Sequence, residues 1–167
     1  WPGQLRLLIW DIITSNEVRE DQMKLPEYIT IEEVRRVCNE LGIRDWTALS
    51  EPSVTDEEAR KVLAEVNPGN MPVELADFRI GLEVELEHGV VFPDSNVTNN
   101  HPILTGMIVM AHFQETLDYY QRLDVAEIEG DMLKAAVKGD AAKLMSKYRK
   151  LIAAKKTLSE AENRQLT

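Results

Sequence analysis

Aromatic residues are scarce in this 167-residue chain, at 6%, and stretches alternating Val, Ile, Thr and Tyr with polar residues are scarcer still. Those side chains favour a half-buried pleated surface, so their shortage leans away from a sheet protein. Cysteine occurs once, as Cys38. That excludes an internal disulfide framework and a thiolate zinc cluster, and on an apolar helix face it reads as a small core residue. The chain has eight glycines, and none builds a phosphate-cradling loop. Gly-x-Ser-x-Gly and His-Glu-x-x-His are also missing, so no catalytic signature supports an enzyme. The opening apolar run, Leu5 to Ile13, is broken by Arg6 and Asp11. It falls well short of the ~20 residues that a membrane span needs. It also lacks the basic flank and small-residue cleavage site of a signal peptide. These absences predict a soluble protein, without a membrane span, working in the cytoplasm or inside an assembly. Because the first residue is Trp1 rather than Met, the chain is expected to be processed, truncated or begun at an internal point.

Hydrophobic residues make up 44%, enough for one sizeable core or two small helical units at this length. Net charge is -10 and unevenly placed. Residues 131–167 hold nine Lys/Arg against four Asp/Glu, so the remainder carries -15 against +5 in this tail. An acidic body of that strength argues against nucleic-acid binding through it.

Helical spacing dominates. Leu5, Leu8, Ile9, Ile12 and Ile13 form a stripe that Leu7 and Trp10 widen, predicting a first helix whose broad apolar surface needs a partner. Thr30 with Glu33 and Thr55 with Glu58 are capping-box pairs, each opening a short helix. The first buries Val34, Val37, Cys38 and Leu41 and stops at Gly42; the second buries Ala59, Val62, Leu63 and Val66 and closes at Asn67-Pro68-Gly69-Asn70. A third helix is predicted from Pro72 to His88, with Gly89 as its stop and Leu75, Phe78, Leu82 and Leu86 as its stripe. After a polar loop holding Asn96-Val97-Thr98, Pro102 begins a helix expected to reach Leu123 or Glu129. Leu104, Ile108, Ala111, His112, Glu115 and Tyr119 are read as sharing one broad face of it, with Met107, Met110 and Leu117 on another flank. Gly130 then separates a last amphipathic helix with Leu133, Val137, Leu144, Tyr148, Leu151 and Ile152 along one side and lysines around it. Gly139-Asp140 is a candidate nick, since Asp is a favoured N-cap.

Several short pieces between Phe78 and Leu123 carry a resemblance. They are Gly81-Leu82-Glu83-Val84-Glu85-Leu86-Glu87-His88-Gly89, Asn96-Val97-Thr98, Thr105-Gly106, Ala111-His112-Phe113, Glu115, Asp118-Tyr119-Tyr120 and Leu123. In order and spacing this pattern resembles a family of small uncharacterised proteins of bacteria, archaea and their viruses. That family usually carries an acidic pair after the Asn-Val-Thr loop, where this chain reads Asn100-His101. The resemblance implies a shared domain and a viral context, including a place within a virion. It implies no activity.

The chemistry of interest lies in two histidine–carboxylate pairs, Glu85 with His88 and His112 with Glu115, each at i, i+3 on a predicted helix. Were the two helices neighbours, these groups could converge as two nitrogens and two oxygens, a set suited to zinc, iron or manganese. His101 could add a fifth group. The competing reading is a buried hydrogen-bonded polar contact with no metal, completed by Tyr119. Either way, Glu85 or His88 is expected within hydrogen-bond reach of His112 or Glu115.

The expected fold is therefore all-α, about six helices: an N-terminal helical module over 1–69, a helical core domain over 70–130 and a basic helical arm over 131–167. The leading functional reading is a non-enzymatic structural or interaction protein without a cofactor, acting as a homo-oligomer or with a protein partner in a larger assembly. Its candidate contact residues are Leu5, Ile9, Trp10 and Ile12 on the first helix and Lys143, Lys147 and Lys150 on the arm. A metal-binding helical protein is the alternative.

Overall fold

The computed structural model describes residues 28–166. Among them the chain is all-α, with six helices and two short 3-10 turns and no strand. The helices are α1 (Ile31–Leu41), α2 (Asp56–Val66), α3 (Leu75–Val91), α4 (Pro102–Glu115), α5 (Tyr119–Val137) and α6 (Ala141–Gln165). The 3-10 turns are Trp46–Ala48 and Pro93–Ser95. The first predicted helix, with Leu5, Ile9, Trp10 and Ile12, lies outside the described residues. The sixth helix arises instead because the segment after Pro102 is broken in two.

Local sequence explains most boundaries. At Thr55 both halves of the capping box form: the Thr55 hydroxyl accepts from the Glu58 amide, and Glu58 accepts from the Thr55 amide. At Thr30 only the first half forms, because Glu33 turns to Arg36 at 2.6 Å. Gly42 ends α1 in the left-handed conformation, at φ 61°, as a C-terminal glycine should. Asn67 clasps the following turn, accepting from the Met71 amide and donating to its carbonyl. That holds Met71–Glu74 out of the helix, so α3 begins at Leu75 rather than at Pro72.

Gly89 does not stop α3, which continues to Val91. It is a packing glycine: a Cβ there would stand 2.0 Å from the Asn100 side-chain oxygen and 2.8 Å from Asn96. The asparagines of this loop reach outward as well as inward. Asn96 accepts from the Asn100 amide, Asn99 donates to the Ile29 carbonyl at 2.6 Å, and Asn100 donates to the Trp46 carbonyl at 3.2 Å. Asn99 and Asn100 both hold positive φ, a conformation asparagine tolerates better than most residues.

The main core joins Val34 and Cys38 of α1, Trp46, Ala59 and Val62 of α2, Phe78, Leu82 and Leu86 of α3, Val109, Met110 and Phe113 of α4, and Tyr120 of α5. Each fully buried Leu or Phe among them contributes about 1.5–3 kcal/mol. The buried face of α4 is Thr105, Gly106, Val109, Met110 and Phe113, not the predicted face: Ile108 and Ala111 are exposed. Gly106 selects that face, because its bare backbone fits against α2, where a Cβ would lie 2.7 Å from Val62.

The predicted continuous helix ends at Glu115. Thr116 is extended, and its hydroxyl is bonded to the Asp118 carboxylate, which Arg122 also binds at 2.7 Å. The chain restarts as α5 and runs through Gly130, which therefore separates nothing. The break falls at Gly139, φ 67°, and Asp140 caps α6 by accepting from the Lys143 amide. α5 and α6 make a helical hairpin whose own small core is Ile128, Leu151 and Ala154, with Val125 and Met132 beside it. The end of α6 returns to the body, where Arg164 and Gln121 both bind Asp77 and Arg122 binds Glu162.

Candidate functional site

The last turns of α3 and α4 and the start of α5 enclose an open cleft of about 330 Å³. Val84, Glu85, Glu87 and His88 of α3 face His112 of α4 across it, with Tyr119, Leu123 and Glu127 of α5 forming the remaining wall. Helix α3 can approach α5 closely because residue 81 is glycine: a Cβ there would lie 2.6 Å from Tyr120 and from Val109.

Two of the four predicted residues meet. His112 Nε2 stands 3.5 Å from Glu85 Oε1, an ion-pair distance rather than a well-formed hydrogen bond. His112 Nδ1 lies 3.8 Å from Glu115 and, though sealed from water, has no hydrogen-bond partner. His88 sits exposed on the rim, and Glu115 is mostly solvated. Among the described residues no group of three or more His, Cys, Asp or Glu is placed to hold a metal ion. His101 is on another face, buried beside α1, where its Nδ1 accepts from the Leu104 amide and caps α4. Burial lowers its pKa below the ordinary histidine value, with Glu33 opposing.

The firm hydrogen bond of this cluster belongs to Tyr120, whose hydroxyl donates to Glu85 Oε1 at 2.9 Å. Burial, then the adjacent Glu85 charge, pushes the phenol pKa upward and keeps it protonated. Tyr119 stacks on the His112 ring at 4.0 Å and 12°, so it fixes the imidazole plane through ring contact. Tyr120 was not singled out by sequence because a continuous helix puts Tyr119 one turn beyond Glu115. The signal that could have found it is Thr116-x-Asp118, a pair of turn-forming side chains ahead of a new helix.

The arm residues part ways too. Lys147 is half-buried and pairs with Asp131 at 2.5 Å, whereas Lys143 and Lys150 are exposed with no acidic partner among the described residues. Outside the cleft, Glu83 accepts from the Val54 amide and from Arg79. Among the described residues no helix is long and apolar enough to cross a membrane.

These features define an all-α protein, a compact helical body extended by a helical hairpin, with a histidine–glutamate–tyrosine cleft where the two join. The chain belongs to the family described as "Protein of unknown function (DUF5661)", whose model matches residues 34–129. That match takes in most of α1 through the first half of α5 and so includes the whole cleft. It is wider than the resemblance read between Phe78 and Leu123. No curated protein and no solved structure matches the chain.

Proposed function

We propose that the protein is a non-enzymatic interaction protein that self-associates, with the α5–α6 hairpin as its docking surface. The observation that carries this reading is an apolar stripe that no described residue covers. On α5, Ala126, Gly130, Leu133 and Val137 recur at helical spacing, and Leu133 is 66% and Val137 80% exposed. On α6, Met145, Tyr148 and Ile152 are exposed in the same manner. The side chains of Lys138, Lys143, Arg149 and Lys150, on the same two helices, have no acidic partner among the described residues. Larger apolar patches rimmed by charge are the kind of surface that marks protein contacts. The occupant the charges favour is a second copy, because residues 131–167 carry +5 and the rest of the chain -15. Assembly with further proteins is the natural extension.

Light scattering on the size-exclusion peak, at several salt concentrations, tests the reading. A dimer or higher species that Val137→Glu disperses is expected; the residue is exposed, so the fold should tolerate the change within about 0.5 kcal/mol. A monomer at every salt concentration would overturn it.

The metal reading has one supporting observation, the approach of His112 to Glu85 inside an open cleft. Two protein donors fall short of the three or four that zinc sites use. Elemental analysis of untagged protein decides: stoichiometric zinc, iron or manganese, lost in His112→Ala, would revive it.

A further inference from the structure

Helix α4 opens on a cap that one proton can remove. From it we propose that His101 is an acid-sensitive latch, holding the loop of residues 96–101 against α1, the Trp46 turn and α4. Pro102 is the first residue of α4 and has no amide hydrogen, so few donors at this end need a partner. One of them, the Leu104 amide, donates to His101 Nδ1 at 3.4 Å. A ring that accepts at Nδ1 is neutral and carries its hydrogen on Nε2. A second proton goes to Nδ1, where it meets the Leu104 amide donor against donor. The cap is then lost. His101 is only 7% exposed, so water has little access to replace it.

The charges facing the ring do not offset that loss. They are Glu33, Arg36 and Glu40 of α1 and Glu65 of α2, which line one open hollow with His101. Glu33 favours an imidazolium, but it is already held by Arg36 at 2.6 Å, and Arg36 itself opposes a second cation. Glu40 is also taken by Arg36, at 2.5 Å, and Glu65 is exposed to screening water. Burial outweighs the pull of Glu33 and keeps the ring's pKa below 6.5. A histidine with a depressed folded value stabilises the fold fully above its unfolded pKa, near 6.5, and that share is lost as pH falls through the folded value.

What the latch holds is a strained segment. Asn99 and Asn100, immediately before His101, sit at φ 49° and 60°. Residues with side chains keep such left-handed values only where their surroundings enforce them. Here the enforcing bonds reach other elements: Asn99 donates to the Ile29 carbonyl ahead of α1, and Asn100 to the Trp46 carbonyl. The His101 amide closes the turn onto the Thr98 carbonyl at 3.0 Å. Losing the cap removes the tie between this turn and α4, so the loop relaxes away from Ile29 and Trp46 together. One titratable group thereby controls how three elements are joined, whatever the hairpin associates with.

Amide exchange on the full chain, corrected for the intrinsic rate at each pH, tests the latch. Protection of the Leu104 and Asn100 amides should fall about tenfold between about pH 7.5 and about pH 5, the effect of one proton whose pKa differs by about one unit between closed and open loop. Val109 and Phe78, in the main core, should keep theirs. Glu58 and Asp118 do not confuse this window, because their lowered values place their titration beneath it. In His101→Asn, whose side-chain oxygen caps a helix without titrating, Leu104 and Asn100 should stay level. If that variant does not fold, the native protein decides alone: the His101 ring and the Leu104 amide resonances should move through one shared midpoint below 6.5. An equal loss of protection in His101→Asn, no loss in the native chain, a loss shared by Val109 and Phe78, or a ring that titrates while the Leu104 amide stays still would overturn the proposal.

Discussion

At the scale of single residues, a carboxylate sealed from water has to be matched bond for bond, and Glu58 shows how this chain does it. Its oxygens accept from the Arg44 guanidinium at 2.7 and 2.8 Å, the Arg44 amide, the Thr55 amide and hydroxyl, and the Trp46 indole. Burial pushes its pKa upward, but the donors led by Arg44 and Thr55 outweigh it and hold the group at about 2. The sign follows: a carboxyl with a lowered folded pKa stabilises above its unfolded value, near 4.5, and that contribution fades as pH falls toward about 2. Glu58→Gln should cost about 1–3 kcal/mol near neutral pH, since it leaves buried donors unmatched. Urea unfolding of both proteins should show the gap narrowing between pH 5 and pH 2; a constant gap would place the loss in packing rather than charge. Gly89 makes a second residue-scale case. Gly89→Ala pushes a Cβ against the Asn100 oxygen and through it disturbs the Asn100 bond to Trp46. Overpacking of this kind costs about 1–3 kcal/mol, measurable by the same unfolding curves.

At the scale of helices, Gly130 is the counter-example to Gly89. It lies inside α5 with nothing within 4 Å of where a Cβ would stand. Gly130→Ala should therefore stabilise by about 0.5–1 kcal/mol, by removing backbone freedom from the unfolded chain, and raise the thermal midpoint. A fall would mean that the stripe around Leu133 needs a bare backbone in an oligomer. The helices legible from sequence were those whose signals are local. Thr30, Gly42 and Thr55 carry their instructions within one turn, and the stripes of α1 to α3 are clean enough to name Val34, Cys38, Val62, Phe78 and Leu82 as core. Helix α4 resists the same treatment because Ile103, Leu104, Met107, Ile108, Val109 and Met110 are apolar nearly all round, so periodicity selects no face. The choice is made by tertiary contact, the fit of Gly106 to Val62. The candidate site was half legible for a related reason. Glu85 and His112 follow from helical spacing, but the Thr116–Asp118 bond breaks the helix and resets its phase. That brings Tyr120 rather than Tyr119 to the Glu85 carboxylate.

At the scale of the whole molecule, the helices divide into a body held by many elements and a hairpin held largely by itself. The main core draws residues from α1 through α5, whereas Ile128, Leu151 and Ala154 are shared by α5 and α6 alone. The hairpin is tied to the body near its open end, through Asp77 with Arg164 and Gln121 and through Arg122 with Glu162. Toward Gly139 the packed side chains give way to exposed Leu133, Val137, Met145 and Tyr148. Elements with few buried apolar contacts open with less free energy than the global unfolding reaction, so the hairpin should open first. Leu151→Ala puts this to the test, because it removes the larger part of a small cluster and should cost about 2–5 kcal/mol locally. Amide exchange should then quicken across residues 125–157 while the amides around Val34, Val62, Phe78 and Leu82 keep their protection. Exchange that quickens equally in α1 to α4 would show a single cooperative unit instead. If the hairpin opens alone, association through Leu133 and Val137 has a further consequence. A second copy seated on that stripe closes the hairpin it binds, so protection over 125–157 should rise with protein concentration while that of the body stays level.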